Sequence, residues 1–244
     1  MEEEIGKINK PNADKVIGKK KAFICVLLQA PQEASKELHD LIFNYWKAVD
    51  KNISNLEEKT GVINKIFVEG IPGSGEDVSI NLKEASIGAW NITEERRKTG
   101  AKFSELEDLE ILQKVIDWSK CLNSGLTNRS VAEKISEELK NESQVRIDFI
   151  KSSLEKNIEE GESAIIFTGN QEINIPDDIE KFIISPPELD LVAQWVKKAQ
   201  ESMEAQMKEQ YEAQAKAQAA VSNQKEESED SSSEKPDSGL WTPN

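Results

Sequence analysis

Ala22-Phe23-Ile24-Cys25-Val26-Leu27-Leu28 carries no polar side chain. A strand that is apolar on both faces belongs in a sheet covered on both sides, the usual setting of parallel strands. Val62 to Val68 and Ala164 to Phe167 read as two further strands, and Phe182 to Ile184 as a short fourth. Helical patterns separate them. Leu38, Leu41, Ile42, Tyr45, Trp46, Val49 and Ile53 recur every three or four residues, one broad stripe on a helix from Pro31 to Leu56 closed by Gly61. Strands alternating with helices imply parallel pairing through right-handed crossovers. The expected fold class is α/β: a mainly parallel sheet of about four strands covered by helices, with a C-terminal helical extension and a disordered acidic tail.

The segments outward from this core follow from composition. Residues 1–18 are polar and read as a flexible arm, and 19–199 as the α/β domain. A loop-helical insertion is expected near 71–125, with its first part, 71–100, a loose helical stretch. Ser104-x-x-Glu107 has the form of a capping box for a helix through Leu106, Leu109, Leu112, Ile116 and Leu122. A long helix from Asn128 to Ile158 would bury Val131, Ile135, Leu139, Val145, Phe149 and Leu154 and bend near Asn141. Ser185-Pro186-Pro187-Glu188 starts the last helix, whose continuation over 200–221 has only Met203, Met207 and Tyr211 as an apolar stripe, suited to an exposed helix or a coiled-coil pairing. Residues 222–244 read as a disordered acidic tail ending in Leu240-Trp241.

The 244 residues carry a formal charge of -15. That charge argues against a nucleic-acid or membrane-surface partner, which would call for a basic footprint. No apolar run approaches the length of a membrane span. Met1-Glu2-Glu3-Glu4 is not a secretory leader, so a cytoplasmic protein is expected. Cys25 and Cys121 both sit in apolar contexts, where a free cysteine behaves as a small buried hydrophobe. Partners are expected through the C-terminal helix or Trp241, as a protein ligand or as a homo-oligomer.

Ligands of open α/β sheets bind at the carboxyl ends of the strands. The loops there contain Gln29, Glu69, Gly70, Gly169, Asn170, Gln171 and Glu172, the expected ligand-binding residues. Glu69 ends the second strand, a frequent place for a catalytic or metal-binding carboxylate. Glu33, Glu69 and Glu172 together could hold Mg²⁺ or Mn²⁺, which take oxygen ligands, although the expected reading has no metal and no cofactor. Gly70-Ile71-Pro72-Gly73-Ser74-Gly75 resembles a phosphate loop in glycine content but lacks the lysine that such a loop needs. His39, the only histidine, sits on the polar edge of the first helix and reads as a surface residue. Arg146 and Asp148 are two apart on one helix and point in different directions.

Arg146-Ile147-Asp148-Phe149-Ile150, with Leu154, Ile158, Gly161-Glu162, Ile165 to Gly169 and Ile175 to Ile179, resembles the C-terminal part of TraB-like and erythromycin-esterase-like domains. The resemblance covers residues 20 to 190. It implies a hydrolytic or metal site at three strand ends, where a glutamate closes the middle strand and histidines close the other two. Glu69 stands at the glutamate position, and Arg146 and Asp148 at the arginine and aspartate of the helix, which makes these three the catalytic candidates. Gln29 stands where the first histidine would fall, and Gln171 or Glu172 where the second would. Loss of both imidazoles removes the ligands or bases that a mechanism needs. The expectation is a degenerate, non-catalytic scaffold acting as a binding or regulatory module. The alternative is a metal-dependent hydrolase working with carboxylates at the strand ends.

Overall fold

The computed structural model describes residues 18–169 and 173–230, with side chains to residue 211. The chain divides into two units, one to Val192 and one from Ala193. The first is α/β. Its elements are β1 (Lys20–Val26), α1 (Lys36–Thr60), β2 (Ile63–Val68), α2 (Glu76–Ala85), α3 (Ile87–Arg97), β3 (Lys102–Phe103), α4 (Leu109–Asn123), α5 (Arg129–Asn157), β4 (Ser163–Thr168), β5 (Ile179–Ile184) and the start of α6 (Pro187–Asp230). Five strands form one sheet in the order β3-β2-β4-β1-β5, and every pairing is parallel. Among the described residues no helix is long and apolar enough to cross a membrane.

The two faces of the sheet are covered differently. On one, α1 lays Tyr45, Trp46, Val49 and Ile53 over the strands, and Trp46 meets Phe167 edge-on with ring centroids 6.0 Å apart. Each large apolar side chain buried this way stabilises the fold by about 1.5–3 kcal/mol. On the other, Ile150, Leu154 and Ile158 pack with Ala22, Phe67, Ala164 and Ile166. Ile175 joins that second cluster. It lies in the segment between β4 and β5, whose described residues contain no helix, although a helix usually serves in a parallel crossover. Connections that shift the chain toward β3 run over the α1 face, and those that return run over the α5 face. A constant right-handed crossover requires this.

Several local expectations are corrected. The first helix starts after Ser35, whose Oγ accepts the Leu38 N–H at 3.3 Å, and not at Pro31. Residues 71–100 are no loose insertion: Val78, Leu82, Ala89 and Ile92 of α2 and α3 are buried. Ser104 caps nothing. Its amide donates to Ile66 O at 2.9 Å, and Asp108 caps α4 through Ile111 N at 2.9 Å. α5 is continuous through Asn141, and Val131 and Val145 are exposed on it. α4 buries none of its side chains fully, and Cys121 on it is exposed, whereas Cys25 is buried. α4 packs chiefly on α5, and one neighbouring helix cannot enclose a stripe as wide as the one on α4.

In the second unit α6 is helical through residue 222 to Asp230, and Met203, Met207 and Tyr211 are exposed. Residues 1–17 of the N-terminal arm and the end of the chain with Trp241 lie outside the described residues, as do Asn170, Gln171 and Glu172.

Candidate functional site

β2 and β4 are neighbours; the chain leaves β2 toward α2, whereas Ile175, beyond β4, packs with Ile150 and Leu154 of α5. A crevice therefore opens at their carboxyl ends, the place where α/β sheets bind ligands. Glu69 leaves β2 at this crevice. Its Oε2 accepts the Gly169 N–H at 2.7 Å, so the carboxylate ties the end of β2 to the end of β4. Its Oε1 accepts from Arg146 Nη2 at 3.1 Å. Arg146 reaches the crevice from α5, whose next two turns are anchored by Ile150 and Leu154 in the core.

A third residue completes the group. Glu107 precedes α4 and is 1% exposed, against 12% for the Glu69 side chain and 19% for that of Arg146. Arg146 grips it with two nitrogens: Nε donates to Oε2 at 2.9 Å and Nη2 donates to Oε1. The same Oε1 accepts the Gly70 N–H at 3.0 Å. All four carboxylate oxygens thus have a donor. The bond to Glu107 and the charge of Glu69 hold the Arg146 pKa above its ordinary value, against partial desolvation. The guanidinium is a permanent cation between two acids. Bidentate pairing of this kind is the strong form of the interaction.

The arrangement limits the chemistry. A metal on Glu69 and Glu107 would have to displace a guanidinium already held by both. Among the described residues no group of three histidine, cysteine or acidic side chains is placed to hold a metal ion. Glu33 is exposed in the segment after β1, and Glu172 lies outside the described residues. Asp148 takes no part: it is exposed and accepts from Gln144 Nε2 at 3.0 Å along its own helix. The structure brings Glu69 and Arg146 together and leaves Asp148 aside.

The glycine loop does lie between a strand and a helix, β2 and α2, as a phosphate loop would. The amides of its three glycines are nevertheless occupied. Gly70 N–H donates to Glu107 Oε1, Gly73 N–H to Glu107 O at 3.4 Å, and Gly75 N–H to Phe103 O at 3.3 Å. Glu76 and Asp77 open α2 where the phosphate-binding lysine and hydroxyl would stand. The loop is folded onto the 103–107 segment, and Arg97, the cation nearest the start of α2, is already paired with Glu76 and Glu94.

The end of β1 leads to a different kind of site. A groove of about 800 Å³ runs between α1 and α3, beginning at Leu28-Gln29-Ala30. Ile42, Trp46 and Ile92 form its floor, with Phe43 and Ile87 on its sides. Gly88 sets its shape. A Cβ there would lie 2.1 Å from Trp46 Cδ1, so only glycine lets the first turn of α3 rest on the indole. Leu28 O anchors both walls, accepting from Trp46 Nε1 at 3.1 Å and from Ser86 Oγ at 2.8 Å. Gln29 donates to Glu84 O at 3.3 Å beside the mouth.

Two features escaped the sequence reading. Glu107 was absorbed by a capping pattern that Asp108, directly before the apolar run at Leu109, fits better. The groove had a signal in Phe43, an aromatic residue outside the stripe of α1. Comparison with protein-family models, curated proteins and solved structures finds no match for this chain.

Proposed function

We propose that this chain is a cytoplasmic binding or regulatory module built on a degenerate α/β scaffold. The observation that carries this reading is Arg146. It occupies the space between Glu69 and Glu107, where a catalytic metal or an attacking water would have to sit, and every carboxylate oxygen is already engaged. The crevice is locked, and an open groove lies at the neighbouring strand end. The likeness to TraB-like and erythromycin-esterase-like domains belongs to the same proposal, with the family's strand-end chemistry replaced by an ion-pair clamp. The exposed stripe of Met203, Met207 and Tyr211 is assigned to a protein partner.

A metal titration followed by thermal unfolding tests this. Mg²⁺, Mn²⁺ and Zn²⁺ are expected to leave the melting temperature unchanged. A rise of several degrees that disappears in Glu69→Gln would replace the proposal with the metal-dependent hydrolase.

A further inference from the structure

The groove between α1 and α3 has the volume of a small-molecule site, since such pockets run to roughly 300–1,000 Å³. Its apolar walls are unusually bare. Phe43 is 62% exposed and Ile87 is 55% exposed, on opposite sides of a floor made by Trp46. Trp90 also lines it, with its Nε1–H already given to Ser79 Oγ at 3.2 Å. An aromatic ring or an alkyl chain is what this lining can receive.

The rim decides the charge of the occupant. Its carboxylates are all taken: Asp50 pairs with Arg96, Glu94 with Arg97 at 2.5 Å, and Glu95 with Lys98 at 2.9 Å. Two basic side chains on the rim are not so matched. His39, Phe43 and Lys47 follow one another at four-residue spacing along α1, which places them on one edge of the groove. Lys47 Nζ sits 5.2 Å from the centre of the Phe43 ring, and among the described residues neither it nor His39 meets a carboxylate. The open charge beside the apolar walls is positive, although the chain as a whole is acidic.

The geometry points to an amphipathic carboxylic acid as the occupant: an aryl or alkyl body between Phe43, Trp46 and Ile87, and one carboxylate at Lys47 and His39. This inference rests on the binding-module reading and names the ligand class. A second copy of the chain fits less well, because the groove is concave and its edge carries a cation that the ligand's single acid would match.

Calorimetric titration of the full chain with naphthylbutyrate and with naphthylbutylamine tests it, since the two share an aryl and alkyl body and carry head groups of opposite charge. The acid is expected to saturate one site with a Kd on the order of 0.1–1 mM, as a ligand of this size allows. The amine should bind about fivefold more weakly, the scale of one exposed charge pair. Lys47→Glu should reverse that preference, and Ile87→Glu should abolish binding of both. Both residues are exposed, so unchanged circular dichroism will show that the variants fold. Equal affinity for acid and amine, or a preference that survives Lys47→Glu, overturns the inference. So does the absence of saturation, or an apparent Kd that rises with protein concentration as a competing second copy would cause. A failed titration without a metal-dependent rise in melting temperature removes the ligand class alone; a rise dependent on Glu69 removes the binding-module reading itself.

Discussion

Two neighbouring regions at the carboxyl edge of one sheet have opposite characters. At the end of β2 and β4, Glu69, Glu107 and Arg146 satisfy each other and draw in the amides of Gly70 and Gly169. At the end of β1, Trp46 and Ile42 floor a groove whose walls, Phe43 and Ile87, remain in water. The first contains the residues that look reactive in the sequence. The second contains residues that look like ordinary helix surface. Reactive residue types are no guide to a site when their hydrogen-bonding capacity is already used within the fold. Unspent capacity, polar or apolar, is the better guide.

The comparison is open to attack at the clamp first. Arg146→Met leaves Glu107 charged and almost fully enclosed with its cation gone. Removing one partner of a buried pair costs about 3–5 kcal/mol, and the partial exposure of Arg146 puts the expectation near the lower end. Urea unfolding of the variant will measure it. A loss below about 1 kcal/mol, the ceiling for a surface pair, would mean that the network is not locked. Adding Glu107→Gln to Arg146→Met should recover part of the loss, because the orphaned charge is then removed.

A smaller effect is expected at the groove. Gly88→Ala drives a methyl into the Trp46 ring, and overpacking of this kind costs about 1–3 kcal/mol. Tryptophan emission should shift along with the midpoint, since the indole must move. An unshifted spectrum with full stability would show that α3 does not press on Trp46.

Ile87→Glu should hardly touch stability, within about 0.5 kcal/mol, as for most exposed positions. A large loss would show that the groove wall is packed in solution, and the contrast between the two regions would collapse.

The last test reads the sheet beneath α1. Cys25 is buried, and burial pushes its thiol pKa up, whereas Cys121 is exposed. The thiolate is the reactive form. A thiol reagent at pH 8 should therefore modify one cysteine in the native protein, Cys121, and both after unfolding. Modification of Cys25 in the native state would mean that the groove opens through to the sheet.

The strands and the long helices are legible in the sequence because their signal is local. Ala22 to Leu28 is apolar on both faces, and the stripe from Leu38 to Ile53 has the helical period. β3, Lys102–Phe103, has two residues and no period to read. α2 and α3 are short and crossed by charges that pair among themselves: Arg97 meets Glu76 and Glu94. Such charges look like solvent-facing polarity until the pairing is known. Cys121 and Val131 look like core because they lie in apolar patterns. What covers a pattern is set by neighbouring elements: α4 has mainly α5, and the first half of α5 lies beyond the part that packs on the sheet.

By itself, the sequence determined the α/β class, the parallel pairing, Glu69 as a strand-end carboxylate and the helical start of α6. Each of these follows from residues close together in the chain. The tertiary structure alone decided what Glu69 does. Glu107 lies 39 positions from Arg146, and Gly169 lies 100 positions from Glu69. The groove likewise joins His39, Phe43 and Lys47 of one helix to Ile87 and Gly88 of another. Periodicity reports which face of an element is apolar, but hydrogen bonds and cavities depend on which elements meet, and that is settled only when the whole sheet is assembled.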